Sequence, residues 1–135
     1  MLNTRISGVA ANAQLDAMAP LANGGFLRLY SGTQPAVPEN PPVGTLLAEL
    51  TFGSPAFGLA ASKEIFANAI ADELDAPASG EAAWFRVLKS DGTTALWDGS
   101  VGASNANCIM DSTTIVAGAR ISVTSFRHSI PIQGD

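Results

Sequence analysis

Hydrophobic and polar positions along the chain form short alternating runs broken by Gly, Pro, Asn and Asp. One stretch carries the pattern in full. From Ala82 to Gly102, two apolar, aromatic and β-branched runs flank Ser90-Asp91-Gly92-Thr93. Asp-Gly between such runs is a strong hairpin signal, because Gly takes positive φ without steric cost and Asp tolerates it. The alternation predicts a central hairpin with an exposed Asp91-Gly92 turn. With a two-residue turn, Trp84 and Trp97, one per strand, become near neighbours in the sheet.

The other elements are ordered around this hairpin. Residues 1–9 show no period and read as an N-terminal arm. Residues 10–22 are Ala-rich, with Leu15, Met18 and Ala22 at helical spacing. Asn23-Gly24-Gly25 can end that helix in a left-handed cap, and Pro20 weakens its last turn. Gly25–Ser31 and Thr45–Phe52 read as strands. Between them, residues 32–44 hold four of the eight prolines and read as a loop of polyproline character. Ala56–Ala60 is a short edge-like piece. Glu64–Ile70 fits a helix or a strand, and the strand-turn-strand spacing around it favours a strand. Asp72–Gly80 is an acidic loop. Cys108–Met110 and Thr113–Val116 are strand-like. Ala119–Phe126 alternates, with Ile121 and Val123 on one face and Arg120, Ser122 and Thr124 on the other. A tail begins at His128, with residues 131–135 outside the domain. The fold class expected is mainly β: an antiparallel β-sandwich over residues 10–130 with one short N-terminal helix.

Composition narrows the function classes. A chain of 135 residues is expected to form one domain. Its single cysteine, Cys108, excludes an intramolecular disulfide and a cysteine-based zinc site, and its apolar strand makes it a small buried hydrophobe. Charged residues are 14% of the chain and the net charge is -5. Such a chain lacks the clustered basic residues that neutralise phosphates, so no nucleic-acid partner is expected. Low charge with many small residues suits a surface partly covered by other protein. No apolar stretch approaches the roughly 20 residues that span a bilayer, so no membrane partner is expected. The N-terminus lacks the basic head and apolar run of a signal peptide, which predicts synthesis and retention in the cytoplasm.

Candidate chemistry is sparse. His128, the only histidine, can be written into a hydrolase triad with Ser100 or Ser125 and an Asp. Gly99-Ser100-Val101-Gly102 is not the Gly-x-Ser-x-Gly elbow that such a nucleophile needs. No catalytic residue and no enzyme activity are expected. Asp72, Glu73 and Asp75 share one loop, but the cluster lacks the regular alternation and glycine of a calcium loop, so a solvated acidic loop is expected, with no metal and no cofactor. Trp84 and Trp97 offer a sugar platform as one reading. Core packing of at least one of them is favoured, because aromatics carry the largest apolar payload in a small sandwich.

In their order, several pieces resemble a family of small tailed-bacteriophage proteins. They are the helix with Asn-Gly-Gly, Leu27-Arg-Leu-Tyr-Ser-Gly-Thr-Gln-Pro35, Gly44-Thr-Leu-Leu-Ala-Glu-Leu-Thr-Phe52, Ser54-Pro-Ala-Phe-Gly58 and Ala67-Asn-Ala-Ile70. Ala82–Gly92, Asp98–Gly102, Thr114–Gly118 and Ser122–Phe126 complete the set, which covers nearly the whole chain. The chain departs from the family pattern at Lys63–Phe66 and Asn107–Met110. The resemblance implies a structural virion protein and no chemistry.

The expected role is a capsid decoration or cement protein, bound to the outer shell and stabilising it, with the major capsid protein as partner. A homo-oligomer, possibly a trimer, matches shell sites at local three-fold positions. The alternative is a tail or head-tail connector component, and a third reading is a carbohydrate-binding accessory domain. The candidate partner contacts are Leu2, Arg5 and Ile6 in the arm, and Pro38, Pro41 and Pro42 in the proline-rich loop. An arm and a stiff loop can lie across neighbouring subunits and become ordered there.

Overall fold

The computed structural model describes residues 3–130. Its first element is helix α1 (Gly8–Met18), and the start is fixed by a serine cap. Ser7 is extended, and its hydroxyl accepts from the Ala10 amide at 3.1 Å, which satisfies one of the donors a helix leaves free at its N-terminus. The helix therefore begins before Ala10, and residues 8 and 9 of the expected arm are helical. A 3-10 turn (Ala19–Ala22) continues it. Pro20 sits in the first turn of that segment, where its missing amide proton leaves no bond unmade.

Among the described residues ten short strands follow: β1 (Phe26–Tyr30), β2 (Leu46–Phe52), β3 (Glu64–Phe66), β4 (Ile70–Ala71), β5 (Gly80–Glu81), β6 (Trp84–Leu88), β7 (Ala95–Gly102), β8 (Cys108–Ile109), β9 (Thr114–Ile115) and β10 (Ser125–Ser129). Eight of them make one sheet in the order β3-β10-β8-β7-β6-β1-β2-β4, and β5 with β9 makes a separate ribbon. The pair β7–β8 is parallel, and the other ladders are antiparallel. The chain is mainly β with one short N-terminal helix, as expected, and the hairpin strands β6 and β7 lie in the middle of the sheet.

The sheet curls because its two end strands are consecutive in the chain. Only residues 67–69 separate β3, which pairs with β10, from β4, which pairs with β2. Within that link the Ala67 amide donates to the Phe126 carbonyl and the Asn68 amide to the Ala56 carbonyl, both at 2.9 Å. One short segment thus stitches both edges, and the layers of the expected sandwich are opposite walls of a single curled sheet. Leu27, Leu29, Leu50, Phe52, Phe85, Val87 and Trp97 pack inside with Phe126. The Phe126 ring lies 4.8 Å from Phe85 and 5.7 Å from Phe52, centroid to centroid. Phe85 fits because residue 99 is glycine: a Cβ there would stand 2.4 Å from its Cζ. Helix α1 adds Leu15 to this core. Its Asn12 and Asp16 side chains accept from the Lys63 and Ala60 amides at 2.9 and 2.8 Å.

Four further expectations are corrected. Glu64–Ile70 is not one strand but β3, a link and β4. The strand expected over Ala119–Phe126 begins at Ser125; Ile121 bridges Glu73, residues 122–124 belong to no strand, and Thr124 lies in a bend with its amide donating to the Ile109 carbonyl at 2.8 Å. His128 belongs to β10 and pairs with Ile65, so it is not in a tail. Trp84 and Trp97 do not share a face. Residues 90–93 form the turn, and a bulge at Leu96 shifts the register from Leu88↔Ala95 to Val87↔Trp97. One extra residue reverses which face the following side chains occupy. Trp97 therefore joins Phe85 and Val87 inside, while Trp84 points outward.

Candidate functional site

The outer face of β1, β6 and β7 carries a row of polar side chains set by strand register. Arg28 on β1 stands opposite Glu49 on β2 and Arg86 on β6, and Arg86 stands opposite Asp98 on β7. The row thus reads Glu49–Arg28–Arg86–Asp98 across four strands. Alternation puts each of these residues on the phase opposite to the core.

Arg86 is nonetheless buried. Its side chain is 6% exposed and that of Asp98 2%. Their contact is bidentate, with Nε to Oδ1 at 2.8 Å and Nη2 to Oδ2 at 2.9 Å, the planar geometry a guanidinium offers a carboxylate. The hydrogen bonding to Asp98 raises the Arg86 pKa further, so its charge is permanent. Nη1 donates to the backbone carbonyl of Asn40 at 2.7 Å. That bond crosses to the proline-rich loop and holds it over the sheet.

The loop's base is also tied. The Ser31 amide donates to the Thr45 carbonyl at 3.1 Å, and the Thr45 amide to Ser31 Oγ at 3.0 Å. Gly44 has φ +96, and a Cβ on it would stand 2.0 Å from the Ser31 carbonyl oxygen, so only glycine closes this base. Under the loop, Tyr30 stacks on Trp84 with centroids 4.6 Å apart, and the Arg86 guanidinium lies 5.4 Å from the Trp84 ring. Trp84 Nε1 donates to the Ser31 carbonyl at 3.2 Å. The sequence left this assembly unread: Arg28, Glu49, Arg86 and Asp98 carry no motif, and only the strand phase and register bring them together.

Between this loop and the hairpin tip lies a groove of about 580 Å³. Arg28, Arg86 and Leu88 line its floor, Pro38 to Pro42 one side, and Gly92 to Ala95 the other. Pro41 and Pro42 are exposed on the rim and Pro38 is half-buried. The three prolines singled out as partner contacts therefore share one site. Arg5 and Ile6 belong to another part of the chain, just before α1, where Lys63 Nζ donates to the Ile6 carbonyl at 3.4 Å. Arg5 is exposed. Leu2, the remaining candidate, lies outside the described residues.

Other candidate groups have separate partners. Asp72 pairs with Arg120 at 2.8 Å, and Glu73 accepts from the Glu49 amide at 3.3 Å. Ser100 Oγ lies 3.4 Å from Asn107 N and Oδ1. The His128 ring packs on Trp97 with centroids 4.6 Å apart, and burial holds its pKa below the usual value. Burial pushes the Cys108 thiol up to about 12, so it stays protonated. Trp84 and Trp97 are 1% and 8% exposed, and neither offers an open ring face to solvent. No protein-family model matches this chain, and no curated protein or solved structure matches it.

Proposed function

We propose that this protein is a structural component of a tailed-phage virion, a decoration protein that binds the outer capsid shell and stabilises it, working as a trimer beside the major capsid protein. The observation that carries the reading is the braced proline-rich loop. Its base is tied at Ser31 and Thr45, and its middle is bonded to a buried arginine. A loop so held loses little further freedom on binding, which lowers the entropic cost of recognition. It exposes Pro41 and Pro42 beside a groove rather than burying them in the core. Residues 3–6, which belong to no helix or strand, offer a second contact, and the family resemblance of the sequence supports a virion setting.

The test is to add purified protein to undecorated shells, separate bound from free by sedimentation, and locate the bound density by image reconstruction. Saturable binding with density at three-fold positions on the outer surface is the expected result. Density confined to tails or to the head-tail junction overturns it.

A further inference from the structure

We propose that the groove between Pro38–Pro42 and Gly92–Ala95 receives an acidic side chain from an extended segment of the partner protein, held by the two Nη groups of Arg28. This deepens the decoration reading and rests on it for the origin of the partner.

The two arginines of the outer row differ in what they have left to give. Arg86 spends Nε and both Nη groups on Asp98 and Asn40. Arg28 spends only Nε, on Glu49 Oε2 at 2.7 Å. Among the described residues, neither of its Nη groups makes a hydrogen bond. Its side chain is 25% exposed and faces the groove. Nη2 reaches the hairpin side, 3.6 Å from where a Cβ on Gly92 would stand. A guanidinium with two adjacent Nη groups free binds a carboxylate through two parallel hydrogen bonds.

The walls select the rest of the ligand. Pro38, Pro41 and Pro42 have no amide proton, and the Thr93 and Thr94 amides are already spent on Asp91 Oδ1 at 2.9 Å. The groove therefore offers few backbone donors for strand addition, and recognition falls to side chains: apolar contact with the prolines and charge at Arg28. Glu39 also lines the groove. Its carboxylate repels an incoming acid, so it sets an upper limit on affinity.

The probe is a short capped peptide of alternating Glu and Pro, with its Gln-Pro counterpart and inorganic phosphate as comparisons. Binding is followed by NMR on the full chain. The Glu-Pro peptide is expected to shift the Arg28 side-chain and Gly92 amide signals saturably, while the Arg86 side chain, held through all three of its nitrogens, stays put. Gln-Pro is expected to bind at least about tenfold more weakly, since a charge-assisted bond is lost. Arg28→Gln should abolish binding, with the native near-ultraviolet dichroism retained. Glu39→Gln leaves Arg28 intact and should tighten binding about threefold. Equal binding of the two peptides, phosphate competing as well as Glu-Pro, or an unmoved Arg28 signal overturns the proposal. On shells, wild-type binding that Arg28→Gln fully retains overturns the groove proposal alone. A wild-type protein that ignores shells overturns the decoration reading and leaves the peptide result to be judged by itself.

Discussion

Arg86 is where one side chain governs a whole face. It neutralises Asp98 and anchors Asn40 at once, so its loss leaves a buried carboxylate without a counter-charge. Arg86→Met should cost about 3–5 kcal/mol in urea unfolding, and Arg86→Met combined with Asp98→Leu should recover most of it. The double variant still lacks the bond to Asn40, so limited proteolysis should cut within residues 32–44 faster than in the wild type. His128 offers a second residue-scale test. Packing on Trp97 holds its pKa down, so the neutral ring is favoured in the fold. As pH falls below about 6.5 the unfolded chain takes up this proton before the folded one does. Stability should thus be fully present above about pH 6.5, and be lost on acidification until the folded ring also protonates. His128→Gln should remove that part of the slope in urea midpoints measured against pH, while the pair Arg127–Glu64 on the neighbouring strands stays in place. The burial of neither side chain was readable from sequence. Arg86 lies on the strand phase opposite to the core, and its cover is irregular chain, which has no period to detect.

At the scale of elements, the hairpin was legible and its register was not. Asp91 explains the first. Its carboxylate accepts from the Thr93 and Thr94 amides at 2.9 Å and from Thr94 Oγ1 at 2.5 Å. These bonds shape a turn over residues 90–93 and hold the Asp91 pKa well below the usual carboxylate range. The turn's contribution is therefore present above the ordinary carboxylate pKa and lost as pH falls through the depressed one. Asp91→Ala should lower the thermal midpoint and speed amide exchange at Thr94 and Lys89, whose amide bonds the Thr94 carbonyl across the turn. The bulge at Leu96 has no residue signature, because Leu is at ease in any strand, yet it alone turns Trp97 into the core. The alternation over Ala119–Phe126 was a true record of burial, with Ile121 in and Ser122 out. Alternation reports an extended chain with two different faces; it says nothing about whether a partner strand is alongside.

The whole molecule depends on closure. Residues 67–69 join the sheet's two edges through the Ala67 and Asn68 amides, contacts to Phe126 and Ala56 that no local pattern encodes. The apolar residues that fill the interior were evident from the sequence; the curl that encloses them comes from this non-local stitch. Ala67→Pro removes the donor to Phe126 and should cost about 1–3 kcal/mol in urea unfolding, with one cooperative transition retained. Removing residues 1–5 should leave that transition unchanged, because Ser7 still caps α1, and should weaken shell binding in the sedimentation assay. A deletion through residue 9 is a poorer test, since it takes the cap and the first helical turn with it. The lengths of the end strands carry one more consequence. β3 and β4 span only Glu64–Phe66 and Ile70–Ala71, and the β5–β9 ribbon is equally brief. Fibril growth copies a long row of unpaired backbone groups from one molecule to the next. Among the described residues the ends of the sheet present only abbreviated templates, which leaves little backbone for templated β-stacking between copies.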